Sequence, residues 1–439
     1  MTTGHDVPSY AQERRVRAAE AARLRGDPPT AKTLAFASVL PGRADVAALE
    51  TAVNSFVARH GALQRRFHCQ NGVVTIRRVT PSRIRCTVTE TDSPPSGAEA
   101  VERLVRAEVN RPFDVLGWPL MRAGVIQSDR PVFYLSMDHL ITDGWSLAVA
   151  RRDIEALYNS ALSGEPAGLP QPADFGAFAA EQRRRFAHGP ALDREVAALR
   201  RLLGGRPVEP AFPVDARPWD LRTGRYVRID LLSGGEADVF ARRCRDARAT
   251  VLMGVLAAVG IAMRATADQR EAGMLVAMHN RDAPAIAESV GWYANTLPLY
   301  FPVGERFDDT LRAARGALMD AIEHYDLPIA QVLAGTPAGH YNGIGEEYPF
   351  CFVSFTDDRT ATPDRAAGGP GRVTGARQEA WQHVHLAPSH RVGYGLWISL
   401  TDTGLLAAIA SPDSPRQRDR LTSFETALAD VVRGVAMTA

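Results

Sequence analysis

Met137-Asp138-His139-Leu140-Ile141-Thr142-Asp143-Gly144-Trp145-Ser146 is the stretch on which the reading of this chain turns. It follows a hydrophobic run, Val132–Met137, that reads with Met121–Ile126 as a pair of strands. Asp143-Gly144 marks a turn, and Ser146 onward has helical spacing through Tyr158. A histidine is thus delivered to a strand end, in a strand-loop-helix setting suited to chemistry. A histidine that titrates near neutrality takes a proton from an attacking hydroxyl or ammonium group, or steers an amine toward a carbonyl. His139 is that candidate. Asp143, four residues on, would organise the loop by pairing with an arginine, and Gly144 lets backbone approach closely and offers an N–H to a developing oxyanion.

Around this loop the composition is that of an ordinary globular protein: 439 residues, 45% hydrophobic and 23% charged. Length suggests two or three packed domains. The formal net charge of +1 leaves no whole-protein field to draw in nucleic acid or an anionic membrane, so recognition must be local. Lys32 is the only lysine among the basic residues, and arginines come singly or in short runs such as Arg183 to Arg185. Four cysteines, Cys69, Cys86, Cys244 and Cys351, are too few for a disulfide scaffold and lack paired metal-ligand spacing, which favours a reducing cytoplasm. Met1 to Pro8 has no signal pattern. Val251 to Met263, the longest apolar run, is shorter than the roughly 20 residues a bilayer requires and reads as a buried helix.

The rest of the chain mixes helix and strand periodicity without a fixed repeat. Ser9–Leu24 and Asp45–Arg59 read as helices, the second with an apolar stripe of Val46, Leu49, Val53, Phe56 and Val57. Val73–Val79 and Arg85–Thr89 read as strands. Residues 189–219 lose periodicity and gather glycine and proline, and are expected to be an interlobe linker between an N-terminal lobe, 1–188, and a C-terminal lobe, 220–439. In the second half Val227–Leu232 and Met274–Ala277 read as strands and Glu236–Arg264 as one helix. Asp357–Gln378 is irregular and is expected to belong to a crossover segment near 356–385.

The HxxxDG loop, with further motifs in order along nearly the whole chain, resembles the condensation-domain family of nonribosomal peptide synthesis, within the chloramphenicol acetyltransferase-like superfamily. Ser9-Tyr10-Ala11-Gln12-Glu13-Arg14 is similar to the family's SxAQxR, and Arg59 to Phe67 to its RHxxLRxxF. Val290-Gly291-Trp292-Tyr293-Ala294-Asn295-Thr296-Leu297-Pro298-Leu299 resembles IGxFVNTLPL. His324-Tyr325-Asp326-Leu327-Pro328 resembles (H/N)QDxPF, and Asp174 to Phe178 is a weaker match to D(F/Y)xxW. The family writes HHxxxDG, whereas Asp138 stands here in place of the first histidine; the second carries activity in the family. Asp138 then holds the loop, biases the imidazole electrostatically, or is simply a tolerated structural substitution.

By the same resemblance Arg281 is the partner of Asp143 in a structural ion pair. Trp292 and Asn295 lie on a bridging loop near 280–300, and Pro349 to Phe355 is a strand lining the substrate tunnel, where alternate residues such as Ser354 face substrate. Asp138 and Trp145 join Trp292, Asn295 and Ser354 as expected tunnel residues. His383, His385 and His390 have no carboxylate or cysteine companion at a metal-binding spacing, so no metal is expected.

The resemblance implies an α/β fold of two chloramphenicol acetyltransferase-like lobes in a V-shaped pseudo-dimer, with His139 at the centre of a tunnel between them. It implies an acyltransferase, free-standing and monomeric, without a bound cofactor. The phosphopantetheine arm of a carrier protein docking in trans presents the donor thioester, and the acceptor is a free or carrier-bound amine or an alcohol. Amide and ester products stay open, as does transfer of polyketide or fatty acyl groups to an alcohol. A dihydrolipoyl acyltransferase shares the loop, as DHRxxDG, but no lipoyl domain or charged linker is visible. A non-catalytic module that recruits partner enzymes to a carrier protein is the alternative from another class.

Overall fold

The computed structural model describes residues 7–27, 29, 32–80, 84–90, 98–128, 130–212, 224–334, 351–359, 382–384, 389–390, 394–412 and 415–438. They fall into two compact units. One is drawn from Met1–Ala187, His279–Ala294 and Gly369–His390, the other from His188–Met278, Asn295–Gly368 and Arg391–Ala439.

The first unit opens with α1 (Tyr10–Arg25). Ser9 and Gln12 form a reciprocal capping box at its start, and Gly26 ends it in the left-handed region, φ 79°. Strand β1 (Lys32–Val39) leads to α2 (Val46–Arg59), whose cap is Asp45 and whose buried stripe includes Leu49, Val53, Phe56 and Val57. The hairpin β2 (Arg65–Gln70) and β3 (Val73–Arg78) follows, then β4 (Thr87–Glu90), α3 (Ala98–Val109), β5 (Met121–Gln127) and β6 (Val132–Asp138). Helix α4 (Gly144–Ser163) starts shortly after β6 ends, and α5 (Phe175–Arg185) closes the continuous part.

Strand β6 is the spine of the sheet. All seven of its residues are buried, and it pairs antiparallel with β1 on one side and β5 on the other. Strand β4 adds in parallel at β5, and Gln382–Val384 and Ser389–His390 pair antiparallel with β1. A core of Phe36, Leu49, Phe56, Phe67, Phe133, Leu135 and Ile154 lies against the sheet, with α2 and α4 in contact over it. The last residue of this buried central strand is Asp138, so the loop that carries His139 springs from the buried centre of the sheet.

The second unit starts with α6 (Pro190–Leu203), where the sequence led to the expectation of a linker over 189–219. Pro190 sits in the first helical turn and Gly204 takes the left-handed region just past the end, φ 59°. The same two residue types that signal a linker in an aperiodic stretch are therefore the borders of a helix. Leu192, Leu199 and Leu203 bury one face, and Phe212 belongs to the unit's core. Residues 213–219 lie outside the described set.

After α6 come β7 (Gly224–Ser233), α7 (Gly234–Asp246), α8 (Val251–Ala267), β8 (Glu271–His279), β9 (Ala294–Pro302), α9 (Phe307–Ala321), β10 (Cys351–Asp357), β11 (Tyr394–Thr401), β12 (Gly404–Pro412) and α10 (Pro415–Met437). The sheet order is β7-β12-β11-β10-β8-β9. Strand β10 runs parallel to β11 and β8, and β12 is antiparallel to β11 and β7. The single helix expected over Glu236–Arg264 is two. The chain breaks at Arg248, φ 56°, and Thr250 recaps α8 by accepting the Met253 N–H at 3.3 Å. The two axes bend by 97°. Helix α8, apolar all round, is the buried centre of this unit. Among the described residues no single helix is long and apolar enough to cross a membrane.

Of the region near 356–385, Asp357 ends β10 and Gln382–Val384 pairs with β1. Residues 360–381 lie outside the described set.

Because α6 is packed and not a solvated connector, Leu199→Ala should lower the unfolding free energy by about 2–4 kcal/mol in a urea titration. A loss under ~0.5 kcal/mol would return these residues to linker status.

Candidate active site

The site assembles in the first unit, where the loop after β6 meets the segment 279–294. Asp143 adopts an extended conformation, φ −139° and ψ −178°, and caps α4 by accepting the Ser146 N–H. Its Oδ1 also accepts from the Ser146 hydroxyl at 2.7 Å and from Nη2 of Arg281 at 2.8 Å. Its Oδ2 accepts the backbone N–H groups of Tyr293 at 2.9 Å and Ala294 at 3.1 Å. Burial alone would raise the Asp143 carboxyl; the Arg281 charge and the Ser146 and Arg281 hydrogen bonds outweigh it and hold the group below the usual carboxylate range. With five donors on two oxygens, the carboxylate is committed to structure.

Arg281 is equally committed. Its side chain is fully buried and donates from Nη1 to the carbonyls of Ile286 and Ser289, both at 2.7 Å, and from Nη2 to the Ser146 hydroxyl at 2.8 Å. Its guanidinium lies 4.3 Å from the Tyr293 ring centroid. Gly291 is required where it is: a Cβ there would come within 2.3 Å of the Phe175 ring. Phe175 and Tyr293 meet edge to face at 4.9 Å, which seats the segment on α5.

A second grip holds the same segment. The Nδ1 of His60 accepts the Val290 N–H at 3.3 Å, so Nε2 carries the proton and donates to Asp153 at 2.9 Å. Arg59 and Arg152 also donate to Asp153, and Arg152 pairs with Glu288. Burial is the main force that lowers the His60 pKa, working against the neighbouring Asp153.

His139 stands between these anchors. Its backbone N–H donates to the Lys32 carbonyl at 2.7 Å, and its ring lies 4.3 Å from the Trp292 ring, tilted by 43°. Burial and, secondarily, the Arg15 charge push its pKa below the ordinary value; a backbone hydrogen bond of the residue itself and the carboxylates of Asp143 and Asp138 pull the other way. Burial wins, and the neutral imidazole is favoured over its cation.

Asp138 is not a tunnel residue. It is fully buried and takes a bidentate pair from Arg15, Nε to Oδ1 at 3.0 Å and Nη2 to Oδ2 at 2.6 Å. It also accepts the Leu140 N–H at 2.8 Å. It therefore holds the loop, and its charge also acts on the imidazole, pulling the His139 pKa upward against burial. Gly144, the first residue of α4, is exposed, and a Cβ there would meet nothing within 4 Å. The glycine leaves open space at the helix N-terminus and does not relieve a close contact within the protein. Trp145 is 39% exposed, donates its ring N–H to the Ala287 carbonyl at 2.9 Å and lies 5.3 Å from the His279 ring.

His139, Asp138, Asp143, Gly144, Trp145, Arg281 and Trp292 therefore share one unit, while Asn295 and Ser354 belong to the other. Asn295 brackets a turn. Its amide donates to the Tyr325 and Leu327 carbonyls at 2.8 and 2.7 Å and accepts the Ile329 N–H at 3.2 Å, which leaves little of it for a substrate. Ser354 alternates on β10 with the buried Cys351 and Val353 and is half-buried. His385 lies outside the described residues; among those described, no group of three or more His, Cys, Asp or Glu is arranged to hold a metal. The sequence reading gave no role to Arg15, Ser146, Tyr293 or the His60–Asp153 pair, although His60, Ser146 and Tyr293 stand inside motifs it singled out; Arg15 and Asp153 carried no such signal.

A family model described as Condensation domain matches residues 27–339. Phosphinothricin tripeptide synthetase PhsC of Streptomyces viridochromogenes is 29% identical over 303 residues, 65% of this chain but 27% of that longer protein. Acyltransferase PapA3 of Mycobacterium tuberculosis is 23% identical over 445 residues, covering 98% of this chain and 89% of its own. Among solved structures, PapA2 acyl transferase superposes with a TM-score of 0.78 at 20% identity, over 98% of this chain and 91% of the other. The X-domain from teicoplanin biosynthesis superposes with a TM-score of 0.76 at 18% identity, over 100% and 96%. These likenesses agree with the chloramphenicol acetyltransferase-like α/β fold expected from the motifs.

Unfolded histidines titrate near 6.5, and both His60 and His139 bind protons less readily in the folded chain. The unfolded chain therefore takes up more protons below that point, so stability is whole above about pH 6.5 and falls as pH drops toward the depressed folded values. Thermal unfolding from about pH 7.5 to about 5 should show this fall, and His60→Gln should flatten it. An unchanged slope in the variant would remove His60 from the account.

Proposed function

Because the chain belongs to the condensation-domain family, we propose that it is an acyltransferase that moves an acyl or aminoacyl group from a carrier-protein phosphopantetheine thioester to an amine or alcohol, in natural-product biosynthesis. The observation that carries this reading is His139, fixed on its loop beside Trp292, its pKa lowered by burial, and followed by the open N-terminus of α4 at Gly144. A neutral imidazole accepts the proton of the attacking N–H or O–H as the new bond to the carbonyl carbon forms. The carbonyl oxygen becomes an oxyanion, for which a helix N-terminus is a favourable neighbour. Collapse expels the phosphopantetheine thiolate, which takes up a proton, and the amide or ester is left.

The driving force resides in the thioester, so the reaction needs no bound cofactor. Asp143 and Arg281 serve by holding geometry, since both are spent on hydrogen bonds within the protein. An alcohol requires more help from His139 than an amine, because its proton must leave as it attacks. The four free cysteines suit a cytoplasmic setting.

A second reading has an observation of its own. The X-domain from teicoplanin biosynthesis, similar in fold to this chain, is solved in a complex with OxyB. A recruiting module would bind carriers and partners without turning over.

Acyl-loaded carrier proteins incubated with a panel of amines and alcohols, followed by mass spectrometry, separate the two. His139→Ala should lower turnover by roughly 10²- to 10⁴-fold and leave carrier binding intact. Carrier binding without product from either protein would favour recruitment. Gly144→Ala should leave stability within ~0.5 kcal/mol, because the methyl group enters open space, yet reduce transfer if substrate occupies that space. Undiminished transfer would place the substrate elsewhere.

A further inference from the structure

We propose that Arg15 is a positioning residue for His139: through its bidentate pair with Asp138, and with Gln12 one turn earlier on α1, it fixes the backbone on both sides of the imidazole. The assignment rests on the reading of His139 as the base of acyl transfer.

Two side chains of α1 converge on the loop. Arg15, 5% exposed, meets both oxygens of Asp138, the residue before His139. Gln12, 1% exposed, donates through Nε2 to the carbonyl of Leu140 at 2.8 Å, the residue after it. Asp138 in turn accepts the Leu140 N–H, so its carboxylate spans the histidine. The His139 N–H is already held by Lys32. The backbone is thus pinned on either side of His139, while the imidazole lies against Trp292.

The pair also accounts for the departure of this loop from HHxxxDG. A histidine at 138 cannot receive the guanidinium fork in two places, whereas a carboxylate matches it. Aspartate before the catalytic histidine and arginine at position 15 are therefore one device, legible only when helix and loop are seen together. It is also electrically balanced. The charges acting on His139 are Arg15 from α1, Asp138 from β6 and Asp143 from the start of α4, with Arg281 neutralising Asp143 behind it. Removal of one partner leaves a buried charge uncompensated; removal of both does not.

The test compares wild type with Arg15→Lys, Asp138→Asn and the double variant Arg15→Met/Asp138→Asn. Each is labelled with [¹³Cε1]-histidine, the His139 signal being assigned by its loss in His139→Ala. The NMR titration of His139 needs no substrate. Its midpoint should move down in Asp138→Asn, which loses the anion, and stay near wild type in the double variant and in Arg15→Lys. Turnover should fall by about 10- to 100-fold in Arg15→Lys and in the double variant, with KM little changed, because the fork is gone and the loop has slack.

Wild-type turnover in both of these variants would overturn the assignment and leave the pair a role in stability alone. An unmoved midpoint in folded Asp138→Asn would also overturn it. Should Asp138→Asn fail to fold, Arg15→Lys and the charge-balanced double variant decide by turnover. If no acceptor gives product even with wild type, while the His139 midpoint shifts as stated, the proposed function falls and the positioning of His139 by Arg15 stands.

Discussion

Everything at the site depends on one buried ion pair, Asp143 with Arg281. Two charges removed from water at this depth stabilise a fold only when their remaining hydrogen-bonding capacity is met. Here it largely is. Asp143 accepts five hydrogen bonds, and Arg281 donates four. These bonds tie the end of the loop after β6 and the start of α4 to a segment 138 residues further along. Loss of either partner would leave a charge stranded in the core and free the segment that carries Trp292.

The same kind of pairing surrounds His139, the histidine at the end of the central strand. His139 sits where burial disfavours its cation, and the carboxylates nearby are themselves matched by arginines. Asp138 is paired with Arg15 and Asp143 with Arg281. Arg15 and burial lower the His139 pKa while Asp143 and Asp138 raise it, and burial is the largest of these influences. The same economy recurs at His60, where a backbone N–H claims one ring nitrogen and Asp153 the other. In both histidines burial disfavours the cation, but only His139 lies on a loop whose neighbouring Gly144 leaves open space.

Local signals in the sequence were reliable where the cause was local. Ser9, Asp45 and Asp143 cap helices as their residue types dictate, and β6, a continuous apolar run, is the buried central strand. They misled where one residue type serves two purposes. Pro190 and Gly204 read as linker but are helix borders, and Leu192, Leu199 and Leu203 form a stripe too sparse to notice among them. Asn295 illustrates a different limit. Its place in a motif announced importance, but not that its amide would be spent on the turn at Tyr325–Ile329.

The sequence by itself determined the family and the α/β class and singled out His139, Asp143 and Gly144 as candidates, because these follow from residue type, spacing and order along the chain. The tertiary structure alone decided what Asp138 does. Its partner Arg15 lies 123 residues away on a helix where a buried arginine looks like any other polar residue. Ion pairs, burial and the resulting protonation states are properties of what surrounds a group in space, and no pattern along the chain records who those neighbours will be.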